Sequence, residues 1–124
     1  AFKYEAYSSG VIRKEALPLP KENRPYTLVG SRSHMSAETK QFFEEKKKEY
    51  GSIEVLVVGS SLKLCIVAEG KADAYPRYSS TMEWDTGAGH AIALAAGFNV
   101  TKHNTTEPLV YNKEDLLNPW FLVS

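Results

Sequence analysis

Apolar residues in this chain come in short runs of strand length that alternate with longer stretches of helical spacing, a pattern that predicts an α/β fold. Residues Phe2 to Leu17 mix polar and apolar positions around Ser8-Ser9-Gly10 and read as a short exposed hairpin. Pro18, Pro20 and Pro25 then punctuate a basic connector, which excludes helix there and places the segment on the surface. The run Tyr26-Thr27-Leu28-Val29 is strand-like, ends in Gly30-Ser31 and leads to the polar loop Arg32-Ser33-His34. A helix is predicted from about Ser36, a suitable N-cap, with Phe42, Phe43, Lys46 and Tyr50 on one face and Gly51 as its stop. Its mixed-charge run from Glu44 to Glu49 suits solvation and Glu-to-Lys pairing.

The same design follows again. Glu54-Val55-Leu56-Val57-Val58 reads as a buried strand ending in Gly59-Ser60, and a helix is predicted from Ser61 to about Glu69, stopped by Gly70. Two such units imply a parallel pair with a right-handed crossover. Both Gly-Ser loops then emerge at the carboxyl ends of neighbouring strands, the edge where open α/β sheets bind ligands. Ala72 to Tyr78 is a third strand and Ser79 to Glu83 a loop. Phe98 to Thr101 and Leu109 to Asn112 read as short strands around His103-Asn104-Thr105-Thr106. Glu114 to Leu117 is expected as one helical turn, and Trp120 to Val123 as a last edge strand. The expected whole is one domain over 1–124, a mixed, mostly parallel sheet with helices on both faces.

Between those strands lies the most informative helix. Asp85 is a favoured N-cap whose charge suits the positive end of a helix, and Gly97 supplies a left-handed stop, so the helix should run from about Thr86 to Ala96. Its Ala and Gly content lets it lie close against a sheet, with Ile92 and Leu94 adding apolar bulk, so it reads as buried. On local grounds Asp85 merely caps, and Trp84 staples the entry.

Composition narrows the partners. Fifteen basic and fifteen acidic residues cancel, so no global field recruits nucleic acid or an anionic membrane, and any anion site must be local. The single cysteine, Cys65, cannot form an internal disulfide and sits among apolar neighbours as a small hydrophobe. No signal peptide or membrane-length apolar run is present, which makes the cytoplasm the expected compartment, free or peripheral on the inner face of the membrane. The start at Ala1, without an initiator methionine, suggests a piece of something larger.

Three side chains, Lys63, Arg77 and His34, stand out, the first with Ser60 and Ser61 beside it. Lys63 places a cation in the first turn of a helix, against the macrodipole, at a cost of a few tenths to ~1 kcal/mol that a nearby anion would reverse. With Ser60 and Ser61 it could hold a phosphate, although on the residues alone an ordinary surface lysine beside a serine cap is the better reading. Arg77 ends an aromatic-rich strand, where a solvated arginine would be unremarkable. His34 lies on the first Gly-Ser loop, and neither His90 nor His103 has metal-ligand spacing with it. No nucleotide-binding glycine loop, dinucleotide fingerprint, Cys/His cluster or nucleophile elbow competes.

The run Trp84-Asp85-Thr86-Gly87-Ala88-Gly89-His90-Ala91-Ile92-Ala93-Leu94-Ala95-Ala96-Gly97, with Gly70-Lys71-Ala72-Asp73-Ala74-Tyr75-Pro76-Arg77 before it, resembles the second signature of the inositol monophosphatase superfamily of metal-dependent phosphatases. Gly59-Ser60-Ser61-Leu62-Lys63, Tyr75-Pro76-Arg77 and the stretch from Leu109 to Phe121 resemble its CysQ-type 3'(2'),5'-bisphosphate nucleotidase branch. The resemblance implies that Asp85 binds catalytic Mg2+, that Ser60 and Lys63 contact substrate, and that His34, beside Arg32, lies in the substrate pocket without acting as a general base. Inositol-specific members carry a glutamate where Arg77 stands. An arginine suits the second phosphate of a bisphosphate by bidentate bonding.

The family's remaining metal ligands, a glutamate followed by an Asp-Pro-x-Asp-Gly-Thr motif, are not in this sequence. Asp85 alone cannot build a Mg2+ site. The resemblance therefore implies the C-terminal half of an enzyme that removes the 3'-phosphate of 3'-phosphoadenosine 5'-phosphate, giving AMP and phosphate. Its expected partners are that nucleotide and the missing N-terminal half, with no nucleic acid. An inositol- or sugar-phosphate phosphatase, or a non-catalytic nucleotide-binding domain, is the alternative.

Overall fold

In the computed structural model residues 1–10, 12–31 and 35–124 are described. The hairpin is present as expected: β1 (Phe2–Ala6) pairs antiparallel with β2 (Ile12–Ala16), from Phe2 opposite Ala16 to Ala6 opposite Ile12. The proline-rich connector then delivers the chain to β3 (Tyr26–Gly30), which pairs in parallel with β4 (Ile53–Val57), Tyr26 opposite Ile53. Helix α1 (Ala37–Tyr50) joins them, and Ser36 caps it by accepting the Thr39 amide at 3.2 Å. Helix α2 (Leu62–Ala68) leads to β5 (Tyr75–Arg77), and α3 (Glu83–Ala95) to β6 (Val100–Lys102). β7 (Phe121–Val123) ends the fold between β5 and β6, antiparallel to both.

A parallel bridge between Leu28 and Ala74 joins the two sets of strands. The amide of Val29 donates to the Ala74 carbonyl at 2.9 Å, and that of Asp73 to the Thr27 carbonyl at 2.7 Å. The strand order is thus β4-β3-β5-β7-β6, parallel through β5 and antiparallel beyond it. The fold is the mixed α/β architecture the pattern predicts, but the order is parallel at two of its four junctions rather than mostly parallel, because β7 enters between β5 and β6 antiparallel to both. Helices cover both faces because successive strand side chains point to opposite sides. Leu28 and Ala74 pack with Phe43 of α1, while Val29, Tyr75, Phe121 and Val123 pack with Leu64 and Val67 of α2 and Ala93 of α3. Gly89 lets α3 settle on α2, since a Cβ there would stand 3.0 Å from that of Leu64.

Four further expectations are corrected. β4 is not a buried strand: Val55 and Val57 are exposed, because β4 ends the strand order with a neighbour on one side only. Leu109 to Asn112 forms no strand; Pro108 bridges Thr101 and Leu109 bonds Val100, but a proline without an N–H cannot extend a ladder. Glu114 to Leu117 forms no helical turn. There the Leu117 amide donates to the Asp115 carboxylate at 2.9 Å, and the Leu116 carbonyl receives the amide of Glu83. The last strand is central rather than at an edge, which is why Phe121 and Val123 are fully buried. Among the described residues no helix is long and apolar enough to cross a membrane.

Candidate functional site

A cleft of about 710 Å³ opens where β3 and β5 end and α2 and α3 begin, lined among others by Ser31, Ser60, Lys63, Arg77 and Asp85. The topology explains the convergence. Parallel β3 and β4 send their loops to one end, and β5, bridged in parallel to β3, delivers Arg77 to the same end. His34 and Arg32 lie outside the described residues.

Lys63 is not a surface lysine. It is only 4% exposed, its ammonium donates to the Ser60 carbonyl at 3.1 Å, and it stands 5.6 Å over the Tyr75 ring. No carboxylate among the described residues pairs with it. Burial, and then the nearby charge of Arg77, pushes its pKa below the usual 10.5. Ser60, whose carbonyl accepts from Lys63, has φ 53°, a left-handed conformation uncommon for serine. Arg77 donates one Nη to the Ser80 carbonyl at 3.1 Å, while its buried Nε has no hydrogen-bond partner among the described residues. It too is without a carboxylate among the described residues. Burial raises the Tyr75 phenol's pKa, and Arg77 opposes that shift.

Asp85 reaches the cleft by a different local route from the one expected. The N-cap is Met82 in an extended conformation, and α3 begins at Glu83, which puts Asp85 at the third helical position. From there its Oδ2 reaches back to accept the Met82 amide at 2.9 Å, which is the carboxylate half of a capping box. A carboxylate three residues into a helix satisfies an orphan donor as well as an N-cap does. Trp84 is accordingly not a staple but an exposed residue of the first turn, 69% accessible at the cleft. Nor is α3 buried all round: Thr86, Gly89, His90 and Ala93 face inward, while Ile92 and Leu94 are exposed. Its C-terminus is as read from sequence, with Gly97 at φ 91° and the Phe98 amide returning to the Ala93 carbonyl at 3.0 Å.

Behind Asp85 lies a polar assembly that periodicity does not reveal. Buried Thr86 receives the Asn118 side-chain amide at 3.0 Å and the Tyr111 hydroxyl at 3.3 Å, and that hydroxyl is also 2.8 Å from Nδ1 of buried His90. Burial lowers the pKa of His90. Glu83 accepts the amides of Asn112 at 2.7 Å and Lys113 at 3.2 Å and pairs with the Lys113 ammonium. Those bonds, that of Lys113 first, hold the Glu83 carboxyl below its usual range despite partial burial. The signal that could have found these residues is the run from Leu109 to Phe121, which contains four of them, Tyr111, Asn112, Lys113 and Asn118, and no regular pattern.

As a metal donor, Asp85 fits in kind. Its exposed carboxylate offers a hard oxygen, Oδ1, that has no partner among the described residues. It does not suffice in number, since no group of three His, Cys, Asp or Glu among the described residues could hold an ion.

A buried lysine, an arginine and a helix-borne carboxylate converging on one cleft at the end of a mixed sheet define a class. Residues 5–120 match the inositol monophosphatase family, and the chain belongs to it. Within that family it is similar to the 3'(2'),5'-bisphosphate nucleotidase CysQ of Escherichia coli K12, 46% identical over 105 residues, which are 84% of this chain and 41% of the relative. The crystal structure of CysQ from Bacteroides thetaiotaomicron superposes with a TM-score of 0.85 at 54% identity, over 90% of this chain and 41% of that one. Staphylococcal inositol monophosphatase-II, at 19% identity and a TM-score of 0.63, shares the fold. The chain thus spans about two-fifths of the length of these nucleotidase relatives.

Proposed function

We propose that this chain is the C-terminal part of a Mg2+-dependent phosphatase that removes the 3'-phosphate of 3'-phosphoadenosine 5'-phosphate, giving AMP and phosphate. The observation that carries the reading is the buried ammonium of Lys63, held beside Arg77 with no carboxylate partner among the described residues. A desolvated cation is costly unless an anion completes it, and two adjacent cations suit a ligand with more than one phosphate. Lys63 and Arg77 bind and orient phosphate oxygens, Ser60 donates a further hydrogen bond, and His34 contacts the nucleotide. Asp85 contributes one oxygen to Mg2+, which when bound supplies positive charge for the transferring phosphoryl group. The other metal-binding groups come from the segment with which this chain forms the complete enzyme. The 41% coverage of the nucleotidase relatives supports that division.

Arg77 separates this reading from a phosphatase for inositol or sugar monophosphates. In the complete enzyme, Arg77→Glu should lower kcat/KM for the bisphosphate by roughly 100-fold or more, since a charge-assisted contact worth about 1.5–3 kcal/mol becomes a repulsion. A monophosphate substrate should lose much less. Equal losses on both substrates would show that Arg77 does not read the second phosphate.

A further inference from the structure

We infer that Asn118 is a positioning residue for Asp85, setting the direction of its carboxylate through the two peptide groups on either side of Met82; this rests on the proposed reading of Asp85 as a metal ligand. The peptide between Thr81 and Met82 donates its N–H to Asp85 Oδ2 at 2.9 Å, and its carbonyl accepts the Asn118 backbone amide at 2.8 Å. The peptide between Met82 and Glu83 has its carbonyl bonded by the Asp85 amide at 3.0 Å and by Asn118 Nδ2 at 2.9 Å. Asp85 and Asn118 therefore share both peptide planes, although no hydrogen bond joins them directly.

The side chain is fixed in turn. Asn118 is 4% exposed, and Nδ2 also meets Thr86 Oγ1 at 3.0 Å and Thr81 Oγ1 at 3.3 Å. The Met82 carbonyl can only accept, so the amide nitrogen must be the atom that faces it. This orientation leaves Oδ1 buried without a partner among the described residues, a cost that flipping the amide would transfer to the Met82 contact. Asn118 is thus held in one orientation for the sake of the α3 entrance. Its neighbours reinforce the placement: Glu83 donates its amide to Leu116, and Met82 bridges Leu117. A carboxylate that shares a metal with ligands from elsewhere must point correctly before the ion arrives, and groups behind the ligand do that work.

The test uses the complete enzyme and Mn2+ alone, its binding followed by electron paramagnetic resonance without nucleotide, with Asp85→Asn defining the site to which Asp85 contributes. Asn118→Ala should weaken Mn2+ at that site by roughly 10- to 100-fold. The nucleotide KM measured at saturating metal should not change. Thr86→Val keeps the side-chain volume but removes an Nδ2 acceptor, so it should weaken Mn2+ in the same direction, and it decides the matter should Asn118→Ala not fold. Phe43→Leu, on the buried face of α1, should lower the melting temperature and leave Mn2+ affinity unchanged. Full Mn2+ affinity in Asn118→Ala or, failing its folding, in Thr86→Val would overturn the inference, as would an equal loss in Phe43→Leu. If Asp85→Asn removes no Mn2+ site, the reading of Asp85 as a ligand falls and the inference falls with it.

Discussion

Lys63 shows how one residue changes meaning once its surroundings are known. In the sequence it is a cation at the wrong end of a helix. In the fold it is a buried cation whose partners are a carbonyl and an aromatic ring. Replacing it by methionine keeps the length and the contact with Tyr75 but removes the desolvated charge. Lys63→Met is therefore expected to be as stable as the parent or more so, by on the order of 1 kcal/mol. Nucleotide binding should fall by roughly 10- to 100-fold, the worth of a charge-assisted hydrogen bond. Its pKa is lowered from 10.5, so the unfolded chain takes up the Lys63 proton before the folded one does as pH falls. The destabilisation is fully present below the folded pKa and fades as pH rises through the window up to 10.5. Chemical denaturation of both proteins between pH 7 and 10.5 should show the gap between them closing; a constant gap would mean the charge is not what separates them.

At the scale of elements, the junction of the connector with the sheet rests on Asp73. Its carboxylate pairs with Lys21 and Arg24 and accepts the Thr27 amide at 2.8 Å, while Arg24 also holds the Gly70 carbonyl at 2.9 Å. One side chain thus ties the proline-rich segment, the start of β3 and the entrance to β5. Burial alone would raise its pKa; the bonds from Arg24, Lys21 and Thr27 outweigh it and hold the carboxyl below 3.8. The stabilisation is present above 3.8 and is lost as pH falls through the lowered folded value. Asp73→Asn should cost about 2–3 kcal/mol at pH 7, because it leaves a largely buried arginine unpaired. In urea melts the difference from the parent should shrink below pH 3.8. Persistence of the full difference at the lowest pH would assign it to packing.

For the whole molecule, elements and catalytic groups have different requirements. The sheet has helices on both faces and a buried core, whereas the described residues bring a single carboxylate to the cleft. The isolated 124-residue chain should therefore unfold cooperatively on heating and yet release no phosphate from 3'-phosphoadenosine 5'-phosphate above background. On the proposed function, adding in trans the segment that supplies the other metal-binding groups should restore turnover to the extent that the two associate. Mg2+-dependent release by the chain alone, abolished by Asp85→Asn, would show the metal site to be self-contained.

What the sequence determined by itself was set by local chemistry. Ser36 caps α1 and Gly97 ends α3 because a hydroxyl or a left-handed residue acts on its own turn. The strand of Tyr26 to Gly30, its parallel partner and the two Gly-Ser loops followed from runs of five or so residues. The family resemblance was likewise carried by contiguous motifs, such as the one from Trp84 to Gly97. Tertiary structure decided what depends on residues far apart. Whether β7 lies at an edge or in the middle is settled by β5 and β6 pairing on either side of it. Whether Lys63 is solvated depends on Tyr75 and the sheet beneath it. Asp85 became the third residue of its helix rather than the cap because the chain from Leu116 to Asn118 takes up the backbone before Glu83, across a separation of more than 30 residues. A hydrophobic pattern has a period of two or 3.6 residues and carries no information at that range.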